Sequence, residues 1–213
     1  MSEPEPIAYV VEDDEITRSL VLALTQSIGL TCQPFASARE FLDAYQPLQP
    51  GCLVLDIFMP QMSGLELQEE LNRRGAIIPV IFITGHADVP TAVEAMRRGA
   101  FNYLQKPFRN SDLIDSVRKA LAVDRTNRAA LLHVDTIRDR IFTLTPRERE
   151  VLELVVRGRP NKTMAQEMGL SQRTIELHRS RVMEKMGANS VAQLVRMLMD
   201  FERTRGGATP DPR

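Results

Sequence analysis

Apolar positions fall into two rhythms along this chain, and the change from one to the other divides it. Five short strand candidates, mostly apolar, recur up to Leu104: Ile7–Val11, Thr31–Phe35, Cys52–Leu55, Pro79–Ile83 and Phe101–Leu104. Of these, the unbroken run Cys52–Leu55 fits a strand covered on both faces, and the five together fit one parallel sheet. Between them the period lengthens to that of helices. Ile16, Leu20, Leu24 and Ile28, with Val21 and Leu22 beside them, predict an apolar helix face ending at Gly29. Ser37 opens a helix to about Tyr45; further helices span about Leu65–Arg74 and Val89–Arg98, closed by Gly75 and Gly99. Asn110 or Ser111 starts a fifth, through about Ala122. Five strands alternating with five helices predict an α/β fold, a doubly wound five-stranded parallel sheet of the flavodoxin-like kind.

Beyond Ala122 the strand rhythm does not return. No Gly or Pro occurs from Leu121 to Thr145, where apolar residues interleave with Asp124, Arg125, Arg128, Asp135, Arg138 and Arg140, so the spacing predicts a helical linker. Part of its apolar stripe can pair with a second chain or pack on its own domain. Thr145-Pro146-Arg147-Glu148 has the form of a helix start with a capping box. Helices then follow from Pro146, from Asn161 to Met168, from Gln172 to Met186 after the turn Gly169-Leu170-Ser171, and from Ser190 to about Phe201. Two helices joined by a short glycine turn inside an all-α four-helix unit predict a helix-turn-helix. The expected boundaries are 1–122 for the α/β domain, 123–142 for the linker, 143–205 for the helical domain and 206–213 for a flexible tail.

Composition narrows the function classes. With 43% hydrophobic and 26% charged residues the chain can build two ordinary cores. Its longest apolar runs fall well short of a membrane span, and the acidic start Met1-Ser2-Glu3-Pro4-Glu5-Pro6 is unlike a signal peptide. Cys32 and Cys52 belong to no CxxC pair. A cytoplasmic protein with no membrane partner is expected. The net charge of −1 hides an asymmetry: residues 1–125 hold 17 acids against 11 bases, residues 143–213 hold 9 against 13. An acidic half joined to a basic half suits a chain whose second half meets nucleic acid.

The chemistry lies at the strand ends. The first strand runs into Glu12-Asp13-Asp14, the third into Asp56, the fourth into Thr84 and the fifth into Lys106. In a parallel sheet these ends share one edge, where open α/β sheets bind ligands. Taken singly, an acid such as Asp56 is as simply read as capping its strand. Taken together, gathered carboxylates repel unless a cation neutralises them, and Mg²⁺ suits hard oxygen donors. Lys106 and Thr84 add the positive charge and hydroxyl donor that a phosphoryl group needs, so Asp56 is expected to accept one as an aspartyl phosphate. In the helix from Gln172, Ile175, Val182 and Met186 share one side, flanked by His178 and Arg179. Arg173, Leu177, Ser180 and Glu184 lie opposite, flanked by Glu176 and Arg181. Such an outward face suits a major groove, with readers near its N-terminal half. His178 reads as packed, and His86 and His133 as loop and surface residues.

Residues 7–125 resemble the receiver domain of bacterial two-component response regulators. The likeness rests on Val10-Val11-Glu12-Asp13-Asp14, Leu55-Asp56-Ile57-Phe58-Met59-Pro60, Met62-Ser63-Gly64-Leu65, Phe82-Ile83-Thr84-Gly85-His86 and Lys106-Pro107-Phe108. The resemblance implies Asp56 as phosphoacceptor, with Asp13, Asp56 and the main-chain carbonyl of Phe58 binding Mg²⁺. Glu12 stands where the family often has Asp and would act through a metal-bound water; Asp14 ranks below it. Lys106 is the implied phosphoryl contact, Thr84 the switch hydroxyl and Tyr103 the aromatic that moves with it. Residues 143–200 resemble LuxR-type helix-turn-helix domains through Leu144-Thr145-Pro146-Arg147-Glu148-Arg149-Glu150-Val151, Asn161-Lys162 and Thr174-Ile175-Glu176-Leu177-His178. With the stretch Gly85-His86-Ala87-Asp88-Val89-Pro90, the likeness is to the FixJ subfamily of NarL/LuxR-type regulators.

The resemblance implies DNA contacts at Arg173, Glu176, Leu177, Ser180 and Arg181, with Lys162 and Arg159 on phosphates. Some relatives have lysine at the position of Glu176, and a glutamate there accepts from cytosine instead of donating to guanine. The implied protein is a transcription activator, phosphorylated by a sensor histidine kinase, with RNA polymerase a further partner; the resemblance favours promoter binding as a homodimer, and release of the DNA-binding domain from the receiver is the alternative route that the sequence alone leaves open. It is not an enzyme beyond accepting, and hydrolysing, its own phosphoryl group. Two rival readings meet obstacles. An aspartyl-phosphate hydrolase would carry a second Asp at the position of Phe58. A small-molecule-sensing LuxR-type regulator would need an apolar pocket where this chain gathers acids.

Overall fold

The computed structural model describes residues 4–85 and 89–205, the side chains of Thr204 and Arg205 excepted. The expected tail, 206–213, lies outside the described residues. The chain divides into two compact units, 1–129 and 130–213.

The first unit contains β1 (Ile7–Val11), α1 (Glu15–Gln26), β2 (Thr31–Phe35), α2 (Ala38–Ala44), β3 (Gly51–Asp56), α3 (Gly64–Arg73), β4 (Val80–Thr84), α4 (Val89–Arg97) and β5 (Asn102–Gln105). The five strands form a parallel sheet in the order β2-β1-β3-β4-β5. Alternation explains the unbroken apolar runs. Tyr9, Val11, Leu53, Leu55, Val80 and Phe82 point into one core, with Phe41, Leu67 and Leu71. Ala8, Val10, Cys52, Val54, Ile81 and Ile83 point into the other, with Val21, Leu113 and Val117. β2 is an edge strand and carries Pro34, which pairs in register with Val10.

The helix starts follow their caps. Ser37 caps α2, and Ser63 with Glu66 forms a capping box on α3. At Gly64 a methyl group would run into the carbonyl oxygen of Asp56, so only glycine lets α3 start this close to the site. One expectation needs correction. Ile16 and Leu20 are 81% and 46% exposed, while α1 buries Val21 and Thr25 instead. The buried face is rotated from the one the apolar residues suggested. Thr25 can occupy it because its hydroxyl donates back to the carbonyls of Val21 and Leu22.

The division between the units falls within α5 (Asn110–Phe142), a 33-residue helix. Asp124 and Arg128 are anchored in the first unit. The buried Asp124 carboxylate accepts from Gly51 N–H at 2.9 Å and from Arg128 Nε at 2.8 Å, while Arg128 also donates to the carbonyls of Pro47 and Gln49. Ile137, fully buried, and Ile141 belong to the core of the second unit. That unit continues with α6 (Pro146–Val156), α7 (Asn161–Met168), α8 (Gln172–Met186) and α9 (Val191–Arg205). The capping box of Thr145 and Glu148 forms as expected, and α9 runs a turn past Phe201. None of the described helices is long and apolar enough to cross a membrane.

Candidate functional site

The sheet topology brings the strand-end residues to one edge. Glu12 follows β1 and is fully buried, Asp56 ends β3 at 6% exposure, and Thr84 ends β4, also buried. Lys106, just past β5, donates to Glu12 Oε2 at 2.6 Å and to Asp56 Oδ2 at 3.2 Å. Asp13 is exposed, and carboxylate oxygens of Glu12, Asp13 and Asp56 all lie within 4.8 Å of one another. Three acids thus face one lysine. Burial, reinforced by the negative charge of Asp56, pushes the Glu12 carboxyl up to about 7 against the lowering pull of Lys106. This surplus of hard oxygen donors, with one of them costly to ionise, fits a divalent cation such as Mg²⁺.

The flanking residues sort by role. Asp14 turns away to cap α1, accepting from Thr17 N–H at 2.8 Å, which holds its carboxyl below the usual range. Arg18, which sequence reasoning passed over, donates to the main-chain carbonyls of Glu12 at 2.6 Å and Asp13 at 3.2 Å and so braces the acidic loop. A basic residue one helical turn beyond the cap was the available signal. Phe58 N–H donates to Asp56 Oδ1 at 3.4 Å, and the Phe58 ring is exposed. Tyr103 lies on β5 opposite Phe82 and packs half-buried against the core. Thr84 and Lys106 are tied through the backbone, Lys106 N–H donating to Thr84 O at 2.7 Å. His86 lies outside the described residues.

In the second unit α8 is capped by Ser171 and closed by Gly187 in the left-handed conformation, φ +61°. Ile175, Val182 and Met186 are buried, whereas Arg173, Glu176, Leu177, Ser180, Arg181 and Glu184 are exposed, as the face analysis expects. Leu177 is a 52% exposed apolar side chain among polar neighbours. His178 is partly buried with its Nδ1 enclosed, and His133 is exposed. Lys162 and Arg159 are exposed on and just before α7, with Arg159 3.9 Å from Glu167. Three links were not foreseen: Arg179 to Asn161 Oδ1 at 2.8 Å, Lys185 to Glu148 at 2.7 Å, and Arg140 to the carbonyl of Met186 at 2.8 Å.

Two family models match the chain: the response regulator receiver domain over residues 8–118, and the bacterial regulatory proteins of the luxR family over residues 142–198. Nodulation protein W of Bradyrhizobium diazoefficiens is 46% identical over 191 residues, covering 90% of this chain and 84% of that protein. The transcriptional regulatory protein FixJ of Azorhizobium caulinodans is 45% identical over 199 residues, covering 93% and 94%. The chain belongs to the FixJ-type response regulators. The solved structure of response regulator StyR is similar to this FixJ-type regulator with a TM-score of 0.82 and 39% identity, over 92% of this chain and 98% of that one. A FixJ-type regulator joins a receiver domain to a LuxR-type DNA-binding domain and regulates transcription. Its acidic pocket lies in the receiver, and the exposed face of α8 lies in the DNA-binding domain.

Proposed function

We propose that this regulator takes a phosphoryl group onto Asp56 from a sensor histidine kinase and binds promoter DNA through α8 in response. The observation that carries this reading is the strand-end cluster: the carboxylate oxygens of Glu12, Asp13 and Asp56 within 4.8 Å of each other, and Lys106 Nζ 3.2 Å from Asp56. An Asp56 oxygen attacks phosphorus, the bond to the kinase imidazole breaks, and that nitrogen keeps the electron pair. Asp13, Asp56, the Phe58 carbonyl and Glu12 are the residues that would hold Mg²⁺. When bound, Mg²⁺ supplies positive charge against the phosphoryl oxygens. Lys106, shared in this structure between Glu12 and Asp56, then has a phosphoryl oxygen as a third acceptor. Thr84 donates its hydroxyl to the same group, and Tyr103 on the neighbouring strand follows it.

The output is promoter binding as a homodimer, and transcription is activated through contact with RNA polymerase. Dimerisation is supported by α4, whose Val89, Val93 and Met96 are 77%, 51% and 48% exposed beside the switch strands. Arg173, Glu176, Leu177, Ser180 and Arg181 meet base edges or the groove wall, while Lys162 and Arg159 take phosphates. We assign residues 1–122 to the receiver, 123–142 to the linker and 143–205 to the DNA-binding domain, in a cytoplasmic protein that also hydrolyses its own aspartyl phosphate. The test is DNA-fragment selection with sedimentation, with and without acetyl phosphate and Mg²⁺, on the wild type and Asp56→Ala. Dimers and enriched fragments that appear on phosphorylation and vanish in Asp56→Ala are the expected result. Mass and DNA binding indifferent to acetyl phosphate would overturn the switch.

A further inference from the structure

The C-terminal end of α8 is held from outside the helix-turn-helix. Gly187 and Ala188 N–H groups fold back onto the carbonyls of Glu184 and Met183, both at 2.9 Å, which satisfies two of the last four acceptors of α8. The carbonyl of Met186 receives its donor from α5 instead: Arg140 Nη1 at 2.8 Å. Arg140 reaches it because Gly187 has no side chain, since a Cβ there would sit 2.7 Å from that same nitrogen. The segment that carries Arg140 is itself fixed, with Ile137 fully buried and Ile141 packed in the same core as Ile175, Val182 and Met186. A guanidinium at a helix C-terminus also meets the negative end of the helix dipole.

We infer that Arg140 is a positioning residue for DNA recognition, setting the angle at which α8 presents its outward face; this rests on the reading of α8 as the recognition helix. The lever is short. Arg179 ties the middle of α8 to Asn161 of α7 at 2.8 Å. From there Met186 lies about 10 Å along the helix in one direction and Arg173 about 9 Å in the other. A helix pivoting at Arg179 therefore moves its base-reading side chains about as far as its released end. Base-edge hydrogen bonds lose strength over a few tenths of an ångström. Phosphate attraction is long-ranged and tolerates such a shift. The signature is therefore lost selectivity, with general DNA affinity retained. The neighbouring Lys185–Glu148 pair is nearly buried on its acid side and closes a helix cap, so it belongs to stability.

The test uses full-length protein treated with acetyl phosphate and Mg²⁺, a fragment enriched by selection and a random fragment of equal length. Arg140→Ala is expected to weaken the selected fragment about tenfold, the scale of one base contact, with the random fragment changed less than about twofold. Arg140→Lys retains the charge, so it keeps random binding at the wild-type level and regains part of the selectivity. Thermal unfolding followed by circular dichroism checks that each variant is folded, and Arg140→Lys alone carries the comparison if Arg140→Ala is not. Parallel loss on both fragments, or no loss on either, would overturn the role of Arg140. Leu177→Ala, run alongside, separates the two readings. Selectivity lost there but kept in the Arg140 variants rejects Arg140 alone; selectivity kept in all of them rejects α8 as the reader, and this inference with it.

Discussion

Glutamate meets lysine in both units, Glu12 with Lys106 at 2.6 Å and Glu148 with Lys185 at 2.7 Å, and the two buried carboxyls are driven in opposite directions. Glu148 is lowered to about 2 by the Lys185 hydrogen bond and by the Thr145 backbone donor at the start of α6. Glu12 is raised to about 7 because burial dominates and Asp56 competes for the same lysine. An ion pair's length therefore says little about its state; the surrounding donors and rival charges decide it. At the start of α6 in the DNA-binding unit the account is closed, with Glu148 matched by Lys185 and a helix cap completed. In the receiver one cation is divided between two acids, a third acid stands by, and the deficit is left for a ligand.

Lys106→Ala is the strongest way to break the contrast. Removing the only lysine of the described pocket should slow labelling by acetyl phosphate on the order of 100-fold, measured by intact mass against time. Glu148→Ala should do the reverse. It should cost the DNA-binding unit about 1–2 kcal/mol in urea unfolding, from a lost cap and a lost ion pair whose lysine still reaches the Thr143 carbonyl and solvent, and leave labelling unchanged. The pH dependence sharpens the comparison further. Between about 4.5 and 7 the folded receiver keeps a proton on Glu12 that the unfolded chain has released, so its stability falls as pH rises, on the order of 2 kcal/mol across that range. Glu148 works with the opposite sign: its contribution is full above about 4.5 and drains away as pH falls toward 2. Hydrogen exchange of β1 and α6 reads the two units separately. Millimolar Mg²⁺ should flatten the first profile and leave the second alone, and Asp56→Asn should also shallow the first, by a smaller margin.

Legibility in the sequence followed the range of the forces involved. The strand Cys52–Leu55 and the acid that ends it were readable because a two-sided core admits no polar interruption. Strand-end residues far apart in the chain could be gathered on paper because a parallel sheet aligns its carboxyl ends. The outward residues of α8 were readable from helical spacing alone. The face of α1 was not, since Thr25 hides its hydroxyl in the helix's own backbone and so passes as apolar, while Ile16 and Leu20 stay exposed. Arg140 to Met186 and Lys185 to Glu148 span 46 and 37 residues, and depend on which helical turn lands against which. Nor does any spacing give the proton affinity of Glu12, which arises from depth and company.

Pro34 bears on what happens to this protein when many copies are made at once. Phe35 turns its carbonyl inward to accept from Glu12 N–H, so the preceding residue has its backbone nitrogen on the outer rim of β2. That nitrogen carries no hydrogen. A strand from another copy approaching this rim finds a gap in the donor row and cannot extend the ladder without interruption. The proline leaves the pairing with β1 intact and denies crowded, newly made chains a seam along which to stack.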